Sequence, residues 1–137
     1  MYSNRLIFSG FVLLAFTPLC AQEALPAHIT EAFEAYIALP DTLVPVLQSA
    51  RDTESATAAA PQLLSELKKL YAIRESLQKV PSLTTRQNEL VRGKYEEVMR
   101  KRWGAVYEEM FRLQQNRCYS SAEFARMYKI MCMMLNK

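Results

Sequence analysis

Apolar positions recur with a helical period along most of the chain after residue 25. The first such stretch, residues 26–39, places Ile29, Phe33, Tyr36 and Ile37 on one face. A pattern at i, i+4, i+7 and i+8 is typical of an amphipathic helix. Because proline disrupts a helix interior, we expect this short first helix to end at Pro40.

A second helical pattern follows a candidate N-cap residue, since aspartate is among the residues preferred at that position. Asp52 precedes an alanine-rich stretch at 55–60, and Pro61 is there either a kink or the first turn of a new helix. Residues 62–79 then carry one apolar stripe, which Pro81 ends. Its members are Leu63, Leu64, Leu67, Leu70, Tyr71 and Leu77.

The longest predicted helix opens with the capping-box pair Thr84 and Gln87 and runs to about residue 116. At about 100° per residue its apolar positions span an arc of about 140°. An arc this wide predicts contact with at least two other helices. The positions are Val91, Tyr95, Val98, Met99, Trp103, Val106, Met110 and Leu113.

The last helix is expected over residues 122–135, with Ser120 and Glu123 as a second capping box. Its inward positions are Phe124, Met127, Tyr128, Met131 and Leu135. Only three glycines occur in 137 residues, which disfavours a turn-rich β architecture. The predicted fold is therefore all-α, an antiparallel up-and-down bundle of three to four helices.

The N-terminus has the order of a secretory signal peptide: Arg5, an apolar run at 6–16, then small residues before Ala21. This run of about 11 residues is short for a membrane span, which needs about 20. An uncleaved anchor is the alternative, and Leu19 disfavours lipoprotein processing at Cys20. We predict a signal peptide at 1–21, a short helix at 22–40, a bundle at 41–137, and a periplasmic or secreted protein.

The charge distribution differs between the two halves of the mature chain. Residues 22–80 hold eight acids and five bases, net −3, whereas residues 81–137 hold six acids and eleven bases, net +5. This asymmetry suits helices that face each other with opposite signs. Arg100, Lys101 and Arg102 spread around a helix and form no single basic face, so no nucleic acid is expected to bind. Membrane contact is expected only through an uncleaved signal segment.

No motif in the sequence indicates catalysis or a bound cofactor. His28 is the single histidine, and no CxxC, CxxCH or HExxH spacing exists. We therefore predict no metal site, no cofactor and no enzyme activity. Glu109 and Arg102 fall near each other on the apolar side of the long helix and are expected to form an ion pair.

The sulfur-containing residues allow one alternative. Met127, Met131, Cys132, Met133 and Met134 are soft donors suited to copper(I), although methionine is also a common core filler. Cys118 and Cys132 are the cysteines left after cleavage at Ala21. A helix rise of 1.5 Å per residue puts them about 15–20 Å apart, beyond disulfide reach, so unpaired thiols or a bond to another chain are expected.

Residues 52–63 read Asp-Thr-Glu-Ser-Ala-Thr-Ala-Ala-Ala-Pro-Gln-Leu and resemble an uncharacterised group of small exported bacterial helical proteins. That group pairs a D-x-x-S-A segment and A-A-P with a long amphipathic helix. Its second landmark is a Tyr-Gly-Ser turn before the last helix, and residues 118–121 are similar with Ser120 in place of the glycine. The resemblance covers residues 43–130 and implies a helical fold and export, but no activity.

One face of the long helix is the candidate interaction site. Gly93, Gly104, Tyr107 and Phe111 lie at about 160°, 180°, 120° and 160°, away from the main apolar arc. Interior helix glycines cost about 1 kcal/mol each, which favours close packing by the first helix or by a second chain. We predict a non-catalytic extracytoplasmic interaction or structural module that binds a protein partner or itself. The alternative is a carrier of copper or of a small apolar ligand that uses the Met/Cys-rich last helix.

Overall fold

The computed structural model describes residues 24–136, and all regular structure in this range is helical. Its elements are α1 (Ala27–Ser49), α2 (Thr53–Gln78), α3 (Thr85–Gln115), a turn at Arg117–Ser120, and α4 (Ala122–Leu135). The predicted all-α class is confirmed, with four helices in a bundle. The predicted signal peptide at 1–21, Cys20 and the mature start at Gln22 lie outside the described residues.

Helix α1 is longer than its sequence pattern predicted. It continues through Pro40 and Pro45 to Ser49, so the predicted end at Pro40 is wrong. Proline at position 40 leaves the carbonyl of Tyr36 without its helical N–H donor. The indole Nε1 of Trp103 on α3 donates to that carbonyl at 3.2 Å. A side chain from another helix therefore replaces the missing backbone donor, and periodicity within α1 alone cannot show this.

Helix α2 begins at the predicted cap. The Asp52 carboxylate accepts from the Ser55 backbone N–H at 2.8 Å, and the Ser55 hydroxyl accepts from the Asp52 N–H at 3.0 Å. This reciprocal pair is a capping box. The helix then runs unbroken through Pro61, so the alanine-rich stretch and the leucine stripe form one helix.

Helix α3 begins and ends as predicted, with reciprocal hydrogen bonds between Thr84 and Gln87 at its start. Helix α4 covers the predicted residues, but its cap is Ser121, whose hydroxyl accepts from the Phe124 N–H at 3.4 Å. The predicted cap at Ser120 is wrong. Ser120 instead belongs to a turn with positive φ at four successive residues, 50° at Arg117, 49° at Cys118, 52° at Tyr119 and 60° at Ser120.

The side-chain pairs between helices define how the bundle is arranged. Helices α1 and α3 run in the same direction, because Glu34 pairs with Lys94 at 3.2 Å and Asp41 with Arg102 at 2.8 Å. These acid-to-base contacts agree with the charge asymmetry of the sequence. Helices α1 and α2 run in opposite directions, since Thr42 donates to Glu66 at 2.7 Å whereas Ala32, earlier in α1, shares a groove with Ser76, later in α2.

The remaining contacts place α4 between α2 and α3. The Tyr128 hydroxyl donates to the Met110 carbonyl at 2.8 Å, and the hydroxyls of Thr57 and Ser121 are 2.9 Å apart. Around the bundle the order is therefore α1, α2, α4, α3. Within the described residues neither α2 nor α4 makes a close backbone approach to α3, and α4 reaches α3 through the Tyr128 side chain and through the turn at Arg117–Ser120.

The core is built mainly from leucine and alanine of α1 and α2, closed by Trp103, Val106 and Leu113 of α3 and by Phe124 and Met131 of α4. Of the predicted inward positions of α4, Phe124 and Met131 are buried, whereas the others are half-buried. No helix in the 24–136 range combines the length and apolarity that crossing a membrane requires.

Candidate functional site

The predicted interaction face lies on the outside of α3. Phe111 is 62% exposed and Tyr107 is 52% exposed, the first being the most exposed of the large hydrophobic side chains described. A Cβ atom added at Gly93 or Gly104 would meet nothing within 4 Å. We refer to Gly104, Tyr107 and Phe111 as the α3 surface.

The first helix does not cover this face, and the prediction that it packs closely over the glycines is wrong. It contacts another side of α3, where the rings of Tyr36 and Trp103 stack with centroids 4.6 Å apart. The rings of Phe33 and Tyr95 stack at 5.8 Å in the same interface. The wide apolar arc of α3 therefore receives α1 beside this face, while Tyr107 and Phe111 stay exposed.

Charged residues flank the α3 surface on both sides. Arg100 and Glu108 lie four residues before and four residues after Gly104, and both are exposed. Neither makes an ion pair or a hydrogen bond with the part of the chain that the structure describes. Aromatic anchors surrounded by polar groups are typical of protein interaction sites.

A polar cluster that the sequence analysis missed lies at one end of the bundle, centred on Arg112. Its guanidinium donates to the carbonyls of Leu47 and Ala50 at 2.8 and 3.0 Å. It also donates to the Glu109 carboxylate and to the Tyr119 hydroxyl, both at 2.7 Å. A cation is favourable at the end of α1, which has no basic residue in its own last turn.

The same cluster joins the two segments that carry the sequence resemblance. The Thr53 hydroxyl donates to the Tyr119 carbonyl at 2.7 Å, and Thr57 contacts Ser121. The hydrogen bonds from Ser55 hold the pKa of Asp52 below its ordinary value. These groups bind one another, and the arrangement connects four helix ends, those of α1 and α3 and the starts of α2 and α4. Buried side-chain polar atoms of the described residues all have hydrogen-bond partners.

The predicted ion pair between Glu109 and Arg102 is wrong in its partners. Glu109 pairs with Arg112, three residues further along α3, and Arg102 reaches across to Asp41 on α1. The angles on an isolated helix placed Glu109 and Arg102 together. Such angles take no account of the backbone carbonyls at the end of α1, to which the Arg112 guanidinium donates while it also binds Glu109.

The sulfur atoms of α4 lie in different environments. Met131 is fully buried, whereas Met133 is 55% exposed. Between residues 24 and 136, no group of three or more His, Cys, Asp or Glu side chains is arranged to hold a metal ion.

Cys118 and Cys132 are both free cysteines in the structure, Cys118 buried and Cys132 half-buried. Burial raises the pKa of the Cys118 thiol, and Cys132 raises it further. Burial also raises the pKa of Tyr128, with Cys132 and Cys118 as additional causes.

The fold and its exposed features define a small all-α bundle with an aromatic surface on its longest helix. Comparison with known proteins found no matching family model, no similar curated protein and no similar solved structure. The resemblance to small exported helical proteins therefore stays a prediction.

Proposed function

We propose that this protein is an exported, non-catalytic helical module that binds a protein partner or a second copy of itself through the α3 surface. The observation that carries the proposal is the exposure of Phe111 and Tyr107, 62% and 52%, one helical turn apart on one face. Aromatic side chains bury a large area on binding and are frequent at interaction hot spots.

The packing of α3 supports this proposal. Helix α3 is anchored to α1 through Trp103, Arg102 and Arg112. Tyr107 and Phe111 therefore project from a helix that is already held in place, and a surface held before binding loses less conformational entropy on association. The small Gly104 beside them leaves room for a close approach of a partner backbone.

Export rests on the sequence of the first 21 residues. Under this proposal the mature protein begins at Gln22 and lacks the apolar run at 6–16. N-terminal sequencing of protein from the cell envelope is the test. An intact Met1, or a lipid on Cys20, would contradict this part of the proposal.

The interaction itself is tested by Phe111→Glu, with Val98→Glu as the matched control. Val98 is 43% exposed on the same helix but lies on a different side, in a groove beside Pro40. Phe111→Glu should abolish concentration-dependent sedimentation or capture of a specific envelope protein, and Val98→Glu should retain it. If the two variants behave alike, or if the wild type neither associates nor captures a protein, the proposal is wrong.

The second candidate is a carrier that uses α4, either for a soft metal such as copper or for a small apolar ligand. The observation that favours it is a groove between α2 and α4, which Met133 and Met134 line. A ligand that binds the folded state raises thermal stability in proportion to its affinity and concentration. An increase in Tm with copper(I), lost in Met133→Ala, would support the metal carrier, and an unchanged Tm would contradict it.

A further inference from the structure

The groove between the C-terminal halves of α2 and α4 concentrates exposed apolar surface. Three of the large exposed hydrophobic side chains line it, Tyr71 at 59%, Ile130 at 38% and Met133 at 55%. Its volume is about 270 Å³. This volume is just below the roughly 300–1,000 Å³ common for ligand sites, which suits one narrow chain better than a bulky ligand.

Arg74 lies at the inner edge of this groove. Its side chain is half-buried and also borders a second groove of about 370 Å³, with Tyr36, Leu77 and Leu135. The guanidinium is near enough to the Tyr36 hydroxyl to influence its ionisation, although burial and Tyr107 dominate and raise the Tyr36 pKa. The two grooves share Arg74 and Gln78, so these side chains border both of them.

Among the residues that the structure describes, Arg74 differs from the other half-buried arginines. Arg102 has Asp41 at 2.8 Å and Arg112 has Glu109 at 2.7 Å. Arg74 makes no hydrogen bond or ion pair with any residue between 24 and 136. Glu75, the acid next to it, instead accepts from the Tyr71 hydroxyl at 3.0 Å.

We propose that this groove binds a single-chain amphipathic carboxylate, with the carboxylate on Arg74 and the alkyl chain along Tyr71, Ile130 and Met133. The proposal rests on the carrier candidate, specifies its ligand class, and is independent of the α3 surface. A guanidinium matches a carboxylate through two parallel hydrogen bonds. The apolar walls gain from covering the chain, because burial removes alkyl and aromatic surface from water.

The test compares decanoate with decanol by isothermal titration calorimetry, below the concentration at which decanoate forms micelles. Decanoate should bind the wild type more tightly than decanol does. Arg74→Gln should weaken decanoate binding about tenfold, as expected for the loss of one charge-assisted contact, and leave decanol unchanged. Arg126→Gln is the matched control, because Arg126 is exposed and borders a different groove between α2 and α4. This substitution should leave the affinities for both ligands unchanged.

A second variant addresses the groove without touching Arg74. Met133→Asp places a negative charge on the exposed wall and should weaken decanoate more than decanol. Urea unfolding of each variant checks that the fold is retained. If decanoate and decanol bind equally and Arg74→Gln changes neither, the anion site is wrong while an apolar carrier stands. If neither ligand binds the wild type, both this site and the apolar carrier are wrong.

Discussion

Arg112 lies one turn before the end of α3 and donates four hydrogen bonds, two of them to carbonyls at the end of α1. Sequence periodicity assigned no role to this residue because its partners include main-chain atoms 62 and 65 positions away. Helix caps were predictable at Asp52 and Thr84, where the partner lies three residues along the chain. At the residue scale, local hydrogen bonds were therefore predictable and long-range ones were not.

Arg112→Gln should destabilise the protein by about 2–3 kcal/mol, because it removes charge-assisted bonds and leaves the α1 carbonyls without a donor. The comparison is Arg92→Gln, whose pair with Glu96 is largely exposed and should cost at most about 0.5 kcal/mol. Urea unfolding of both variants measures the difference. Equal stabilities of the two variants would contradict the central role of Arg112.

The thiol and phenol near the start and middle of α4 predict an alkaline loss of stability. The folded pKa of both Cys118 and Tyr128 is raised above the ordinary values of 9.0 and 10.0, chiefly by burial. The unfolded chain therefore releases these protons first as pH rises, and the free energy of unfolding should fall above about pH 9. Tyr128→Phe removes one of the two groups and should flatten the fall between about pH 9 and 11. An unchanged slope in urea unfolding over this range would contradict the assignment.

At the element scale, the helices of the protein tolerate residues that ordinarily end a helix. Sequence reasoning placed the starts of α2, α3 and α4 correctly within a residue or two, because their capping side chains act locally. It ended α1 at Pro40, nine residues too early, because the hydrogen bond from Trp103 to the Tyr36 carbonyl comes from a different helix. Whether a helix continues through a proline therefore depends on hydrogen-bond donors from neighbouring helices as well as on the apolar pattern of its own sequence.

A double-mutant cycle tests this account of α1. Trp103→Phe keeps an aromatic ring against Tyr36 but removes the indole donor, and should cost about 1–2 kcal/mol. In a Pro40→Ala background the Tyr36 carbonyl regains a backbone N–H partner, so the same change should cost clearly less. The measurement is the free energy of urea unfolding for the four proteins. Strict additivity would show that the indole does not compensate for the proline.

The turn before α4 carries backbone strain at residues other than glycine. Left-handed φ costs about 1–2 kcal/mol for an ordinary residue and little for glycine. Ser120, exposed and at φ 60°, occupies the position where the sequence resemblance implies a glycine. Ser120→Gly should therefore stabilise the protein by about 0.5–1 kcal/mol, after allowance for the flexibility of glycine when unfolded. Ser120→Val should destabilise it, and the opposite order of the two melting temperatures would contradict the left-handed turn.

At the scale of the whole molecule, composition and periodicity predicted an all-α bundle, but not which helices are neighbours. The charge asymmetry pointed to helices of opposite sign in contact, and the α1–α3 pairs show which ones. The sequence placed the face with Gly93 and Gly104 away from the main apolar arc of α3. The prediction that α1 packs over these glycines is wrong. Helix α1 packs on the side of α3 that carries Trp103 and Tyr95. The aromatic residues that stack on these two rings are more than 60 residues away along the chain.

Site-specific photo-crosslinking at the α3 surface tests the proposed interaction most directly. Tyr107 is replaced by p-benzoylphenylalanine in the full chain, which is irradiated in the native cell envelope. The control is the same replacement at Tyr71, an aromatic residue that is 59% exposed, against 52% for Tyr107. The account predicts a discrete adduct from position 107 and none from position 71. The mass of the adduct shows whether the partner is another protein or a second copy of this chain. Adding Phe111→Glu to the Tyr107 variant should abolish that adduct. The same adducts from both positions, none from position 107, or an adduct that persists with Phe111→Glu would contradict an interaction through the α3 surface.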